Sequence, residues 1–198
     1  AALQRGEQLL ASLVSIAGAA ALESHAQSLH ALAAAAVGLR LGVPLDAVAA
    51  GLGRARLSPM RMEVLRTPTG ATVINDSYNA NPASMRAALQ SLASLPARRR
   101  FAVLGVMAEL GHQGEVAHRD IAQLAADLGI RVIAVAAPAY GSFDHGGIDH
   151  VDDLEGAVRA LVGAGALVEG DAVLVKGSRV AGLERLAERL LVSPEPDG

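Results

Sequence analysis

Apolar positions along this chain fall into two regimes. From Ala19 to Arg40 they recur at helical spacing with an alanine face suited to close packing, and Gly42-Val43-Pro44 stops the run. Pro44 to Gly51 reads as a second, shorter helix: proline at its start, Leu45, Val48 and Ala49 on one side, glycine near its end. Leu57 to Met62, with its Ser-Pro, reads as a linker, and residues 1–18 show no clean period. Beyond it, strand and helix patterns alternate. Met62–Arg66 and Ala71–Ile74 are β-like runs around the turn signal Thr67-Pro68-Thr69-Gly70. A helix is expected from Pro82 to about Leu95, with Met85, Ala88, Leu89, Leu92 and Leu95 at three- and four-residue spacing. Then come strand Phe101–Val106, helix Glu115–Leu128, strand Arg131–Ala136, helix Asp152–Leu161, strand Ala172–Val175 and helix Val180–Leu191. Such alternation requires parallel crossovers. The expected fold is α/β, a Rossmann-like, doubly wound, mostly parallel sheet preceded by a small helical unit.

Composition narrows the function classes. The 198 residues are 52% hydrophobic but only 2% aromatic, which suits an aliphatic sheet core and disfavours a base-stacking platform. A net charge of -3 argues against a broad phosphate-backbone footprint, so no nucleic-acid partner is expected. Arg98-Arg99-Arg100 reads as a solvated loop before a strand. Cysteine is absent, excluding disulfide and thiolate chemistry and suggesting a cytoplasmic setting. The apolar stretch between His30 and Arg40 is nine residues, too short to cross a bilayer, and no membrane insertion is expected. The tail Ser193–Gly198 reads as disordered.

Three expected strand ends carry chemistry. After Val73-Ile74, the eight positions Asn75 to Pro82 hold three Asn, one Asp, one Ser and one Tyr, more hydrogen-bonding capacity than a turn needs. Asx-turns and a cap for the following helix would use some of it; the excess of amides and a phenol favours a ligand. Gly105-Val106-Met107-Ala108-Glu109-Leu110-Gly111 places a carboxylate, Glu109, on a loop where it could meet a cation or an ammonium group. Val175-Lys176-Gly177-Ser178-Arg179 joins a cation to free N–H groups at a helix start, as at anion sites, with Ser178 as helix cap the plainer reading. The Walker A and Gly-x-Gly-x-x-Gly patterns are both missing. The six histidines form no metal set: His145 and His150 read as loop residues, and His118 lies near a ligand-facing helix start.

Together these motifs resemble the last domain of the Mur ligases, in particular their D-alanyl-D-alanine-adding branch. The resemblance rests on Asp76-Ser77-Tyr78-Asn79-Ala80-Asn81-Pro82 with Ser84-Met85-Arg86, on the Gly105–Gly111 loop, on Lys176-Gly177-Ser178, on Arg61-Met62-Glu63, and on the Ala31–Ala36 run. It spans about residues 29–192 and implies residues 1–61 as the end of a central ATP-binding domain, 62–192 as the C-terminal domain, and 193–198 as tail. The implied activity is an ATP- and Mg²⁺-dependent amide ligase of bacterial peptidoglycan synthesis. UDP-N-acetylmuramoyl-tripeptide is activated as an acyl phosphate and attacked by D-alanyl-D-alanine; a carboxylate is a poor electrophile until its oxygen leaves as phosphate.

By position, the resemblance assigns Arg61 to the nucleotide phosphates, Asp76 to the ribose hydroxyls and His30 to the nucleotide side. Tyr78, Asn79, Asn81, Glu109, Lys176 and Ser178 would line the substrate side. No complete catalytic set and no metal ligands are expected here, since the P-loop, the Mg²⁺-binding acid and the carbamylated lysine belong to the missing N-terminal and central domains. There are departures. The His-Asn-x-x-Asn before the Ala-rich helix falls on Ala26–His30, losing the His and both Asn, and Val106 replaces the Asp of Gly-Asp-Met. Without a P-loop to cradle the transferred phosphate, these residues alone are expected to be inactive. Three alternatives stay open: a ligase adding the third residue, which would carry Asp-Tyr-Ala-His; a non-catalytic nucleotide-binding or protein-interaction module; and a flavodoxin-like regulator.

Overall fold

The computed structural model describes residues 25–54, 59–142 and 147–192. Residues 1–18, the start of the first expected helix, His145 and the 193–198 tail lie outside them. The chain divides into two compact units, 1–57 and 58–198.

In the first unit, α1 (His25–Arg40) and α2 (Leu45–Arg54) form a helical hairpin. Gly42, at φ 81°, takes the left-handed conformation that ends α1, where a side chain would be strained. A Cβ at Gly38 would come within 3.2 Å of Val48 Cγ2, so the small residue sets how closely the helices pack.

The second unit is a six-stranded sheet in the order β1-β2-β6-β3-β4-β5. Its strands are β1 (Glu63–Arg66), β2 (Thr72–Asp76), β3 (Arg99–Leu104), β4 (Arg131–Val135), β5 (Ile148–Val151) and β6 (Asp171–Lys176). Only β1 is antiparallel, paired with β2 through the expected hairpin. Its turn is tied by Gly70 N–H to Thr67 O (2.9 Å) and Ala71 N–H to Thr67 Oγ1 (3.0 Å). The rest is a parallel, doubly wound sheet, as the alternation predicts.

Side-chain alternation builds two cores. Ile74, Ala102, Leu104, Ala172 and Leu174 face α3 (Pro82–Ser94) and α4 (Gly114–Asp127). Val73, Phe101, Val103, Val173 and Val175 face α5 (Leu154–Gly163) and α6 (Glu184–Leu190). Every residue of the central strand β6 is buried. β6 is also where the winding reverses: the chain leaves β2 and β3 over the α3/α4 face but enters and leaves β6 over the other. The crevices flanking β6 are therefore the topological switch points, where α/β sheets bind ligands.

Three expectations need correction, and one plainer alternative falls away. Ile148–Val151 is an edge strand rather than a loop, so His150 is a strand residue; it carries only two apolar side chains and gives almost no pattern. The strand expected at Phe101–Val106 runs from Arg99 to Leu104. Arg99 and Arg100 thus belong to β3 and not to a solvated loop, because pairing with β6 begins at Arg99–Asp171. The final helix does not start at Val180. A 3₁₀ turn, Arg179–Ala181, precedes it, and Gly182 at φ 61° breaks the two apart. Finally, Ser178 makes no helix-capping hydrogen bond; its hydroxyl is used across the sheet.

Candidate functional site: three strand ends joined by Lys176 and Ser178

Period-two alternation decides which side chains meet at the C-terminal edge of the sheet. Asp76 and Lys176 end their strands as register partners, and both point to the α3/α4 face. Lys176 Nζ donates to Asp76 Oδ2 at 2.5 Å and to Asn79 O at 2.9 Å. The lysine is 2% exposed and the aspartate 15%, so the pair is largely withdrawn from water. Asp76 Oδ1 accepts from Met62 N–H at 3.1 Å.

Ser178 makes the second junction. Its hydroxyl accepts from Ala108 N–H (2.9 Å) and donates to Ala80 O (3.3 Å). Its backbone N–H bonds Val106 O, while Gly105 N–H bonds Lys176 O, each at 2.9 Å. Gly105 and Gly177 make this approach possible: a Cβ on Gly105 would lie 2.7 Å from Ala181 Cβ, and one on Gly177 would lie 3.1 Å from Gly105 Cα. The loops after β2, β3 and β6 are thus held by one buried lysine and one buried serine.

The lead-in to β1 folds over the same edge. Tyr78 N–H bonds Met60 O (3.1 Å), and Glu63 Oε2 accepts from Met60 N–H (3.3 Å) and Asn75 Nδ2 (3.2 Å). This places the Arg61 guanidinium 4.0 Å from the centre of the half-exposed Tyr78 ring, within cation–π range. Among the described residues, four non-glycine residues have clearly positive φ: Met60, Met62, Glu109 and Ala136. All four lie at this edge of the sheet, where locally unfavourable backbone often accompanies function.

The sequence-named residues divide accordingly. Arg61, Asp76, Tyr78, Asn79, Lys176 and Ser178 are brought together. Asn81 is partly spent on structure: it caps α3, its Oδ1 accepting from Ser84 N–H at 2.9 Å, in a reciprocal capping box. Glu109 stands exposed on the β3 loop. His30 lies in α1, in the separate first unit, and its side chain is outside the described set. Two residues given no binding role also shape the edge. His118 is 2% exposed; its Nε2 accepts from Met107 N–H (2.8 Å) and Nδ1 lies 2.6 Å from Gly114 O. Tyr140 is 1% exposed, donates to Gly105 O (2.9 Å) and meets the imidazole edge-on at 4.8 Å. The sequence signal for both was a polar ring in an otherwise aliphatic pattern.

Chemically, this edge suits the periphery of a nucleotide. Asp76 holds one hydrogen bond on each oxygen and retains lone pairs for hydroxyl donors, and Arg61 supplies an exposed cation beside an aromatic face. Among the described residues no group of three or more His, Asp or Glu could hold a metal ion.

Residues 60–179 match the family described as "Mur ligase, glutamate ligase domain". The chain is 39% identical over 192 residues to the UDP-N-acetylmuramoyl-tripeptide–D-alanyl-D-alanine ligase of Mycobacterium tuberculosis, covering 83% of this chain and 38% of that protein. It is 36% identical over 163 residues to the Escherichia coli enzyme of the same name, covering 81% and 36%. Among solved structures, MurF from Acinetobacter baumannii superposes with a TM-score of 0.73 at 28% identity, over 84% of this chain and 38% of that one. The chain thus spans under two-fifths of the length of the curated relatives it matches.

Proposed function

From the premise that the chain belongs to the Mur ligase family, we propose that it is the C-terminal portion of an ATP-dependent amide ligase joining D-alanyl-D-alanine to UDP-N-acetylmuramoyl-tripeptide in peptidoglycan synthesis. The observation that carries this reading is the convergence of the β2, β3 and β6 ends on Lys176 and Ser178 at the switch point of the sheet. Arg61 and Asp76 are the nucleotide-facing groups, for phosphate and ribose hydroxyls respectively. Tyr78, Asn79 and Glu109 face the substrates, Lys176 and Ser178 hold the loops that present them to the substrates, and Asn81 keeps the β2 loop in place through its cap. ATP supplies the phosphoryl group that makes a carboxylate electrophilic. The phosphate-cradling loop and the Mg²⁺ ligands come from other parts of the whole protein. A bacterial cytoplasmic setting fits these soluble substrates, and among the described residues no helix is long and apolar enough to cross a membrane.

The test is phosphate release with ATP, Mg²⁺, UDP-N-acetylmuramoyl-tripeptide and D-alanyl-D-alanine, using this chain alone and together with a separately made piece carrying the P-loop. We expect silence from the chain alone and turnover from the reconstituted pair. Silence in both, while an intact enzyme of the same type turns over in a control, would favour a non-catalytic module that kept the fold. Turnover with a different amine acceptor would reassign the substrate within the family.

A further inference from the structure

We infer that His118, braced by Tyr140, is a positioning residue that holds the Gly105–Glu109 loop in the shape in which Glu109 meets the amine-bearing substrate; the inference rests on the ligase reading above. Lys176 and Ser178 explain how this loop is tied to its neighbours on the β6 side. They leave unexplained two buried rings, His118 and Tyr140, that also reach this loop with their polar atoms.

The hydrogen bonds fix what the imidazole does. Met107 N–H can only donate, so His118 Nε2 must present its lone pair, and the ring proton sits on Nδ1 and goes to Gly114 O. Both ring nitrogens are then satisfied by backbone, one from the loop and one from the first turn of α4. Tyr140 completes the brace from the loop after β4. Its hydroxyl holds Gly105 O at 2.9 Å, its ring packs edge-on at 77° to the imidazole, and burial pushes the phenol far above its ordinary range, keeping it a donor.

The loop is thereby fastened at Gly105, Val106, Met107 and Ala108 in succession. The next residue, Glu109, takes φ 65°, unfavourable for any residue with a Cβ, and stands exposed. Four consecutive anchors leading into one left-handed exposed carboxylate are more than a simple strand-to-helix connection needs. An ammonium or amine is the chemistry that such an exposed carboxylate is suited to take.

The test uses the chain with His118→Phe, His118→Gln and Tyr140→Phe. Phenylalanine fills the space without an acceptor, whereas the glutamine carbonyl reaches the position of Nε2. In His118→Phe, amide exchange at Met107 is expected to accelerate about tenfold, the size of one hydrogen bond, with the β6 amides unchanged and His118→Gln restoring protection. In the reconstituted ligase, His118→Phe should raise KM for D-alanyl-D-alanine about tenfold at unchanged KM for ATP, and His118→Gln should recover most of it. Tyr140→Phe should act in the same direction more weakly. Unchanged Met107 exchange, or a uniform rise across the sheet with both KM values moving together, would overturn the inference. If no form of the ligase turns over, the proposed function fails, and Met107 exchange in the chain still decides whether the brace exists.

Discussion

Strand β6 ends in an ion pair at both extremities, and the two pairs are built alike yet behave as opposites. Asp171 opens the strand and meets Arg99, its register partner on β3; Lys176 closes it and meets Asp76, its register partner on β2. Both contacts are 2.5 Å. Because strand residues alternate sides, the first pair lies on the α5/α6 face and the second on the α3/α4 face. At the N-terminal edge the geometry is closed. Arg99 grips both Asp171 oxygens and also Ala164 O (2.6 Å) and Ala166 O (3.0 Å), while Val168 N–H caps Asp171 Oδ2 (3.0 Å). All of this fastens the connection from α5 into β6, with the Asp171 side chain inaccessible. At the C-terminal edge the spare bonds of the pair go instead to loops, at Met62 N–H and Asn79 O, and those loops carry the exposed Arg61, Tyr78 and Asn79. The same interaction is a structural clamp where backbone surrounds it and a platform where loops radiate from it.

The sharpest way to break this comparison is to cut the strand between its ends. Leu174 is fully buried at mid-strand, and Leu174→Ala should cost about 2–5 kcal/mol in urea unfolding. It should weaken both edges together; a loss confined to one edge would show that they are not mechanically joined.

Lys176→Met should separate the ends. We expect the reconstituted ligase to lose about 100-fold in turnover, equivalent to about 2.7 kcal/mol of barrier, while circular dichroism stays native. Turnover within a factor of about three of the parent would make the C-terminal pair as purely structural as the other.

Arg99→Gln should do the reverse, sparing activity per folded molecule and changing acid stability. The Arg99 hydrogen bond holds the Asp171 carboxyl below its ordinary range, with burial opposing. A carboxyl with a lowered folded pKa contributes stability above its unfolded value, about 4, and loses it as the pH falls through the lower folded value. The parent should therefore lose this contribution on acidification, whereas Arg99→Gln should start from a lower unfolding midpoint and show a shallower acid dependence. Parallel acid titrations of the two proteins would remove this role from Asp171.

The smallest effect is expected at Tyr78→Leu, which removes the exposed cation–π contact with Arg61. About 0.5–1 kcal/mol should be lost in nucleotide affinity by calorimetry, with unfolding unchanged. Arg61→Ala should lose more, and a double variant no worse than Arg61→Ala alone would confirm that the ring acts through the guanidinium.

Much of this arrangement was legible in the sequence. Helical spacing in α3 and α4 and the apolar runs at the centres of β2, β3, β4 and β6 were legible because each buries an apolar face, and the Thr-Pro-Thr-Gly turn announced the β1–β2 antiparallel hairpin. Polar residues crowded after Ile74, and Lys176 after a buried strand, marked the site because both break an apolar pattern where a strand should end. β5 was hidden because this four-residue edge strand has Asp149 and His150 at its middle and only two apolar side chains, too few to show a period. The Arg98–Arg100 run misled because arginine in a strand end looks like arginine in a loop until its carboxylate partner, 72 residues away, is in place.

The sequence by itself determined the alternating α/β order, the residues at each strand end and the family they resemble, since hydrophobic period and turn chemistry are local properties. Only the tertiary structure decided that β6 inserts between β2 and β3. That insertion sets Asp76 beside Lys176 across a hundred residues and Ser178 between Ala80 and Ala108. It also decided that His118 turns inward to hold the Met107 amide instead of outward to a ligand. Strand order and register are non-local: they follow from how two cores close on either face of one sheet, and no window of sequence contains both sides of that contact.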